Sequence, residues 1–233
     1  MSPVDGRGLA MVAATYVVVA AVFVGLGTAI VRWWDPSSLG TLDADVSRAL
    51  ESIRTDRLTT VSERMSQLSD TYAKIAYGIV LVPVMLWLFR RWHEWTLVVG
   101  GLLLEVSIFV TAARIVGRER PPVEQLEQSH TASFPSGHIA AATTFFVALG
   151  VVVLMRTRRR GPRVVAWTVM VLGPLAVTWG RLYMGMHHVT DAVGGMVIGV
   201  SVVTVVSRVV HRTLPPDESA ARHDELVGSA RSR

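Results

Sequence analysis

Six apolar runs, each about twenty residues long, constrain the fold of this chain more than any other feature of its sequence. An α-helix of about twenty residues crosses the hydrocarbon core of a bilayer, which is roughly 30 Å thick. We expect membrane spans at about residues 9–31, 72–89, 95–115, 139–155, 164–180 and 189–210. The sequence therefore predicts an all-α fold, a polytopic membrane bundle with six transmembrane helices.

The charge of the chain fits a membrane protein better than a nucleic-acid-binding protein. Its 233 residues carry a formal net charge of +5, and only 18% of them are charged. The basic residues gather at the ends of the apolar runs, where anionic lipid headgroups attract them. We therefore expect the membrane bilayer as a partner and no nucleic acid. Cysteine is absent, which excludes a cysteine nucleophile and a thiolate metal site.

The distribution of arginine predicts how the spans are oriented. Arginines follow the second run, lie between the fourth and fifth runs, and close the sixth. With six spans these segments share one face, and the positive-inside rule makes that face cytoplasmic. We therefore expect a multi-pass protein of the cell membrane with both termini in the cytoplasm. The extracytoplasmic face then receives residues 32–71, 116–138 and 181–188.

The segment between the first two spans has a helical pattern of its own. Its apolar residues recur at a spacing that places them on one face of a helix. They are Val46, Leu50, Ile53, Leu58, Val61, Met65 and Leu68. We predict an extracytoplasmic amphipathic helical segment here. Residues 1–213 then form one six-span domain, and the polar residues 214–233 form a disordered cytoplasmic tail.

Three polar clusters fall in the two later extracytoplasmic segments, at residues 117–122, 133–138 and 180–191. In the third cluster His187 and Asp191 are four residues apart at the start of the sixth span, so a helix would place them on one face. The aspartate then accepts a hydrogen bond from one imidazole nitrogen and leaves the other nitrogen free to attack or to take a proton. The same pair also suits a structural contact or a metal site.

The second cluster opens the fourth span. Ser136 is suited to cap that helix, and Gly137 permits another backbone to approach closely. Free N–H groups at a helix start bind phosphate oxygens, and His138 lies at the edge of that seat. Arg120 and Arg181 add permanent charge in a planar form that favours bidentate phosphate contacts. Together the clusters predict an anion site that holds an acid and a nucleophile.

These clusters resemble the three signature motifs of the type 2 phosphatidic acid phosphatase (PAP2) superfamily, which also contains the vanadium haloperoxidases. The family pattern is Lys, six residues, Arg-Pro; then Pro-Ser-Gly-His; then Ser-Arg, five residues, His, three residues, Asp. The second motif is complete at residues 135–138, and the first keeps Arg120 and its proline. The third keeps Arg181, His187 and Asp191 at the family spacing. The resemblance covers a motif core of about residues 70–210.

The resemblance implies a bacterial membrane lipid phosphatase that needs no metal and no cofactor. Its substrate would be a lipid phosphate or diphosphate such as phosphatidate, phosphatidylglycerol phosphate or undecaprenyl diphosphate. His187 would attack phosphorus and form a phosphohistidine, Asp191 would orient it, and His138 would protonate the leaving oxygen. The residues that would bind the phosphoryl oxygens are Arg120, Arg181, Ser136 and Gly137.

Two positions depart from the family pattern. Gly180 replaces the motif-three serine, and Ala113 replaces the motif-one lysine. We expect Arg114 to supply the missing charge to the phosphate, with Arg118 as the alternative. Phosphotransfer to an alcohol and transport of an anion or lipid are open as other functions. The six spans argue against a haloperoxidase, since those relatives are soluble.

Overall fold

A computed structural model of the chain describes residues 5–68, 92–129 and 131–212. Every regular element in these ranges is helical, as the apolar runs predict. The bounds are α1 Gly6–Ala29 with a π-helical continuation Ile30–Trp34, α2 Ser38–Ser52, α3 Asp56–Gln67, α4 Gly101–Val116 preceded by the short helix Trp92–Trp95 and the π-helical Thr96–Gly100, α5 Gly137–Arg156, α6 Arg160–Tyr183 and α7 Val189–Arg212.

Five of the described helices are long and apolar enough to cross a membrane. They cover Gly6–Trp34, His93–Val116, Gly137–Arg156, Arg160–Tyr183 and Val189–Arg212. They coincide with five of the six predicted spans, because a backbone in hydrocarbon must satisfy its own N–H and C=O groups within the helix. The predicted span at 72–89 and the predicted tail at 214–233 lie outside the described residues.

Helices α5 and α7 form the centre of the bundle. Helix α5 packs on α6 and α7, while α1 packs on α4 and α7. Close approach of α5 and α7 depends on Gly195, where a Cβ atom would lie only 2.6 Å from the carbonyl oxygen of Ser136. Four residues earlier, the carbonyl of Asp191 accepts a hydrogen bond from the backbone N–H of Ser136 at 3.2 Å. The packing therefore brings the first turns of α5 and α7 together.

The predicted amphipathic segment between the first two spans is helical and consists of α2 and α3. Thr55 separates the two helices and caps α3 by accepting a hydrogen bond from the N–H of Leu58 at 3.3 Å. The face turned toward the bundle carries small polar residues, namely Asp43, Ser47, Ser62 and Ser66, all buried. The apolar residues of the pattern include several exposed ones, Val46, Ile53, Leu58, Val61 and Leu68. Two residues of this inner face contact arginines, since Asp43 accepts from Arg118 at 3.3 Å and Ser66 accepts from Arg181 at 3.0 Å.

Candidate active site

The residues of the three predicted clusters meet at one end of the bundle. Helix α6 ends there and α5 and α7 begin there, and the loop after α4 crosses between them. His187 lies in the short connection between α6 and α7 and is buried. Its Nδ1 is 2.9 Å from the carbonyl oxygen of Ser133. Because a carbonyl oxygen only accepts hydrogen bonds, Nδ1 carries the proton and Nε2 keeps its lone pair.

Asp191 does not contact His187 directly, in contrast to the expected pairing. The distance from His187 Nδ1 to Asp191 Oδ2 is 3.8 Å, which is too long for a hydrogen bond. The reason is that α7 begins at Val189, so His187 precedes the helix and the spacing of four does not place the two side chains on one face. Asp191 instead accepts from the backbone N–H of His188 at 2.8 Å.

Ser133 connects the histidine to the aspartate. Its hydroxyl donates to Asp191 Oδ2 at 2.5 Å, and its own carbonyl accepts from His187. Ser133 is fully buried, and its backbone N–H donates to the carbonyl of Arg118 at 2.9 Å. Ser133 therefore links Asp191 to the imidazole of His187, a connection that the sequence did not predict. A polar residue inside the second cluster was the only signal that pointed to it.

Arg118 is bound to carboxylates on three different elements. Its guanidinium donates to Asp191 at 2.5 Å, to Asp35 at 2.6 Å and to Asp43 at 3.3 Å, and also to Thr190 at 2.7 Å. The side chain is 1% exposed. The guanidinium of Arg118, the expected alternative to the motif-one lysine, is thus already paired with three carboxylates, and one of these belongs to Asp191.

Arg120 and Arg181 are held by oxygen acceptors around the same site. Arg181 donates to the carboxylate of Glu127 at 2.5 Å and to the hydroxyl of Ser66 at 3.0 Å. Arg120 donates to the carbonyl of Met186, which directly precedes the histidine. It also donates to Ser129 and Thr131, two residues of the loop after α4, at 2.6 and 3.1 Å. Burial, and to a lesser degree the charge of Arg181, lower the pKa of Arg120.

The surroundings of His187 keep its imidazole neutral. Burial lowers the pKa of His187 from the usual 6.5 to about 4, and the charges of Arg120 and Arg181 act in the same direction. The negative charge of Asp191, whose Oδ2 is 3.8 Å from Nδ1, opposes this shift. At neutral pH the residue is thus an uncharged imidazole beside two cations, which is the state that a nitrogen nucleophile requires.

The second cluster, residues 133–138, lies at the start of α5, as predicted. Ser136 is fully buried and caps α5, and its side-chain oxygen accepts from the N–H of Ile139 at 3.5 Å. The ring of Phe109 lies against Gly137, and His138 is half-buried in the first turn of α5. Ser136 as a helix cap is confirmed.

A cavity occupies the region around the missing lysine. It measures about 470 Å³, and its lining residues are Phe109, Val110, Ala113, Arg114, Gly117, Thr131 and Ala132. Ala113 is buried, whereas Arg114 is exposed at the cavity wall. Thr131 also contacts Arg120, so the cavity adjoins the group of residues around His187.

Residues 94–215 match the PAP2 superfamily, which is more than half of the chain. The chain belongs to the PAP2 superfamily. This confirms the family that the motifs predict.

Several curated proteins are similar to this chain over about half of its length. YbjG of Escherichia coli is 33% identical over 131 residues, which cover 52% of this chain and 61% of YbjG. The undecaprenyl-diphosphatase BcrC of Bacillus subtilis is 27% identical over 139 residues, covering 55% of this chain and 65% of BcrC. The decaprenylphosphoryl-5-phosphoribose phosphatase of Mycobacterium tuberculosis is 27% identical over 124 residues, covering 52% and 63%. The matched segments thus span less than two thirds of these relatives.

Solved structures share the fold more completely. A transmembrane PAP2-type phosphatidylglycerolphosphate phosphatase from Bacillus subtilis superposes with a TM-score of 0.72 at 19% identity. The match covers 87% of this chain and 98% of that chain. LpxE of Aquifex aeolicus gives a TM-score of 0.55 at 20% identity over 70% of this chain and 93% of LpxE. The chain therefore has the helical fold of membrane PAP2 proteins.

Proposed function

We propose that this protein is an integral-membrane lipid phosphatase that releases phosphate from a lipid phosphate or diphosphate through a phosphohistidine. The observation that carries the proposal is the hydrogen bond between His187 Nδ1 and the Ser133 carbonyl. It leaves the Nε2 lone pair as the nucleophile, in a site where burial, and to a lesser degree the two arginines, lower the pKa of His187. A neutral nucleophile beside fixed cations suits attack on an anionic phosphoryl group.

In the first step the Nε2 lone pair attacks phosphorus and the bond from phosphorus to the leaving oxygen breaks. His138, in its protonated form, donates its proton to that oxygen, and the lipid product leaves. The positive charge that develops on His187 is stabilised by the hydrogen bond from Nδ1–H to the Ser133 carbonyl and by the carboxylate of Asp191 at 3.8 Å. In the second step neutral His138 takes a proton from water, the oxygen attacks phosphorus, and the bond to Nε2 breaks.

The phosphoryl oxygens are bound by the residues that surround Nε2. Within the described ranges, Nε of Arg120 is buried and has no hydrogen-bond partner, so one donor there awaits an acceptor. Arg181 becomes available when an anionic phosphoryl oxygen displaces Glu127. Ser136 and the N–H of Gly137 complete the seat at the start of α5, where the helix dipole favours negative charge.

Arg114 supplies the charge that the motif-one lysine would otherwise provide. Its support is the cavity of about 470 Å³ beside Ala113, which the arginine lines and which a lysine at position 113 would partly fill. The long arginine side chain reaches a phosphate in that cavity from one position further along α4. A second phosphate, as in a diphosphate, would fit the same contact.

Among the lipid phosphates, we favour polyprenyl phosphates and diphosphates as substrates. Support comes from the relatives, since BcrC is named for undecaprenyl diphosphate and the mycobacterial protein for a decaprenylphosphoryl sugar phosphate. We place the site on the extracytoplasmic face with both termini in the cytoplasm. The arginine-rich turn between α5 and α6 supports this, because it lies at the end of the bundle opposite the site.

Phosphate release by purified protein in detergent micelles tests the activity. Undecaprenyl diphosphate, phosphatidate and phosphatidylglycerol phosphate are offered separately, to the unaltered protein, to His187→Ala and to His138→Ala. We expect release from the first substrate to be fastest and to be lost in both variants, while Arg48→Ala, on an exposed part of α2, keeps it. A phosphorylated protein should be trapped at alkaline pH, since phosphohistidine is acid-labile. Equal turnover in His187→Ala would exclude the mechanism.

Cysteine labelling tests the orientation. The chain contains no cysteine, so single substitutions give an unambiguous signal. Arg48→Cys at the site end and Arg159→Cys at the opposite end are both exposed. A membrane-impermeant maleimide added to intact cells should label only the first. The reverse pattern would place the site in the cytoplasm.

A further inference from the structure

Helix α3 occupies the space where the family has the motif-three serine. A Cβ atom added at Gly180 would lie 2.6 Å from the carbonyl oxygen of Ser62 and 2.9 Å from the backbone nitrogen of Ser66. Both are main-chain atoms of α3, which cannot rotate aside as the end of a side chain can. A serine at position 180 is therefore incompatible with the observed packing of α3 on α6.

The same helix returns a serine hydroxyl to the neighbourhood of that position. Ser66 is 2% exposed, and its Oγ accepts a hydrogen bond from Nη1 of Arg181 at 3.0 Å. The guanidinium of Arg181 is itself 1% exposed, and a buried cation requires acceptors. The hydroxyl that this family carries beside its arginine is thus present here, but it comes from α3, 115 residues away in the sequence.

Glu127 and Ser66, two of the groups that Arg181 contacts, differ in how a bound substrate would affect them. Glu127 is anionic and its side chain is 39% exposed, so a phosphate oxygen can take its place. Ser66 is neutral and buried within the α3–α6 contact, so it remains when the substrate binds. One partner is exchanged and the other keeps the guanidinium in position.

We propose that Ser66 is a positioning residue for the phosphate-binding arginine Arg181, and that α3, which follows the first membrane span, is an integral part of this active site. The inference rests on the proposed function, since it takes Arg181 to bind phosphate. It also explains the departure from the family pattern. Gly180 leaves room for α3 to pack closely on α6, and this packing places Ser66 of α3 beside Arg181.

The docking of α3 does not depend on the Ser66 hydroxyl alone. The hydroxyl of Tyr183 accepts from the N–H of Thr55 at 3.0 Å, at the start of α3. Arg54 donates to the carbonyl of Glu124 at 2.8 Å and to that of Tyr183 at 3.3 Å. Ser66→Ala should therefore leave α3 in place and change only the support of Arg181, which makes the kinetic consequence measurable in a folded protein.

The first test compares Ser66→Ala with Ser52→Ala, a serine on the exposed face of α2 whose hydroxyl donates to the carbonyl of Ala49 in its own helix. Because Ser66→Ala removes a hydrogen bond to a charged group, we expect KM for the lipid substrate to rise about tenfold, which corresponds to about 1.4 kcal/mol. The inhibition constant of orthovanadate, a phosphate mimic, should rise by a similar factor, with kcat changed far less. Ser52→Ala should match the unaltered protein. Unchanged KM and orthovanadate inhibition in Ser66→Ala would overturn the inference.

The second test restores the family residue. Gly180→Ser should lower kcat/KM about 100-fold, because displaced α3 no longer holds Arg181 in register. Gly161 lies at the other end of the same helix, and a Cβ atom there would have no described atom within 4 Å. Gly161→Ser should therefore leave kcat/KM unchanged. A fully active Gly180→Ser would refute the close packing on which the inference depends. These results can refute the role of Ser66 without refuting the proposed function. The proposed function fails only if the unaltered protein releases no phosphate, or if His187→Ala releases phosphate as the unaltered protein does.

Discussion

The buried, neutral state of His187 makes a prediction about how stability depends on pH. Its folded-state pKa is about 4, whereas an unfolded histidine titrates near 6.5. Between these values the unfolded chain binds a proton that the folded chain does not. The free energy of unfolding contributed by this residue is therefore fully present above about pH 6.5 and is lost as the pH falls toward 4.

The size of this loss follows from the pKa difference. One pKa unit corresponds to about 1.4 kcal/mol, so the full shift to a pKa of about 4 amounts to about 3 kcal/mol. At pH 5, where the unfolded histidine is almost fully protonated and the folded one is not, the loss is about 2 kcal/mol. The residue is 3% exposed, so solvent screening does not reduce this value appreciably.

A comparison with His187→Gln isolates the contribution of this residue. Glutamine stays neutral, and its amide can donate to the Ser133 carbonyl in place of the imidazole. Unfolding in one detergent is measured at pH 7 and at pH 5 for both proteins. The unaltered protein should lose about 2 kcal/mol more than His187→Gln over this interval, because all other titrating groups are common to both. The same pH dependence in the two proteins would refute the assignment of a buried, neutral histidine.

Three further variants test separate parts of the site. Arg118→Met should destabilise the fold by about 3 kcal/mol and abolish phosphate release, because it leaves Asp191 buried without its cation; an unchanged unfolding temperature would contradict this. Glu127→Gln should lower KM about threefold, because the substrate no longer displaces a partly exposed carboxylate, and a raised KM would assign Glu127 a binding role instead. Arg114→Ala should lower kcat/KM about tenfold in phosphate-release assays; unchanged rates would show that the site works without this charge.

The bundle could be predicted because its physical requirement is local. An apolar run in a bilayer has to be helical, so five of the expected spans appear as helices in the described residues. The residue at which a helix begins could be predicted less well from the sequence. Asp191 accepts the N–H of His188, and this capping contact makes α7 begin at Val189, which separates His187 from the helix. A spacing of four residues predicts a shared face only when both residues are helical.

The partners of the motif residues could not be predicted because they are distant in sequence. Ser133 reaches Asp191 across 58 residues, and Arg118 reaches Asp35 across 83. The motifs mark the residues of this family that meet at one site, and those predicted positions do gather at one end of the bundle. They contain no information on which loop or helix supplies the acceptor for each donor. That information arises only when α2, α3 and the loop after α4 pack on the bundle.

The partners of the three arginines determine which of them can serve a substrate. If a phosphate replaced the carboxylates around Arg118, Asp191 would remain buried without a cation. The charge of Arg118 is therefore needed to balance Asp191. Arg120 is held by neutral oxygens, whereas Arg181 is paired with the carboxylate of Glu127, which we propose that the substrate phosphate displaces. Replacing the motif-one lysine by alanine therefore removes charge from the substrate side alone. We propose that Arg114, at the wall of the adjoining cavity, restores that charge without disturbing Asp191.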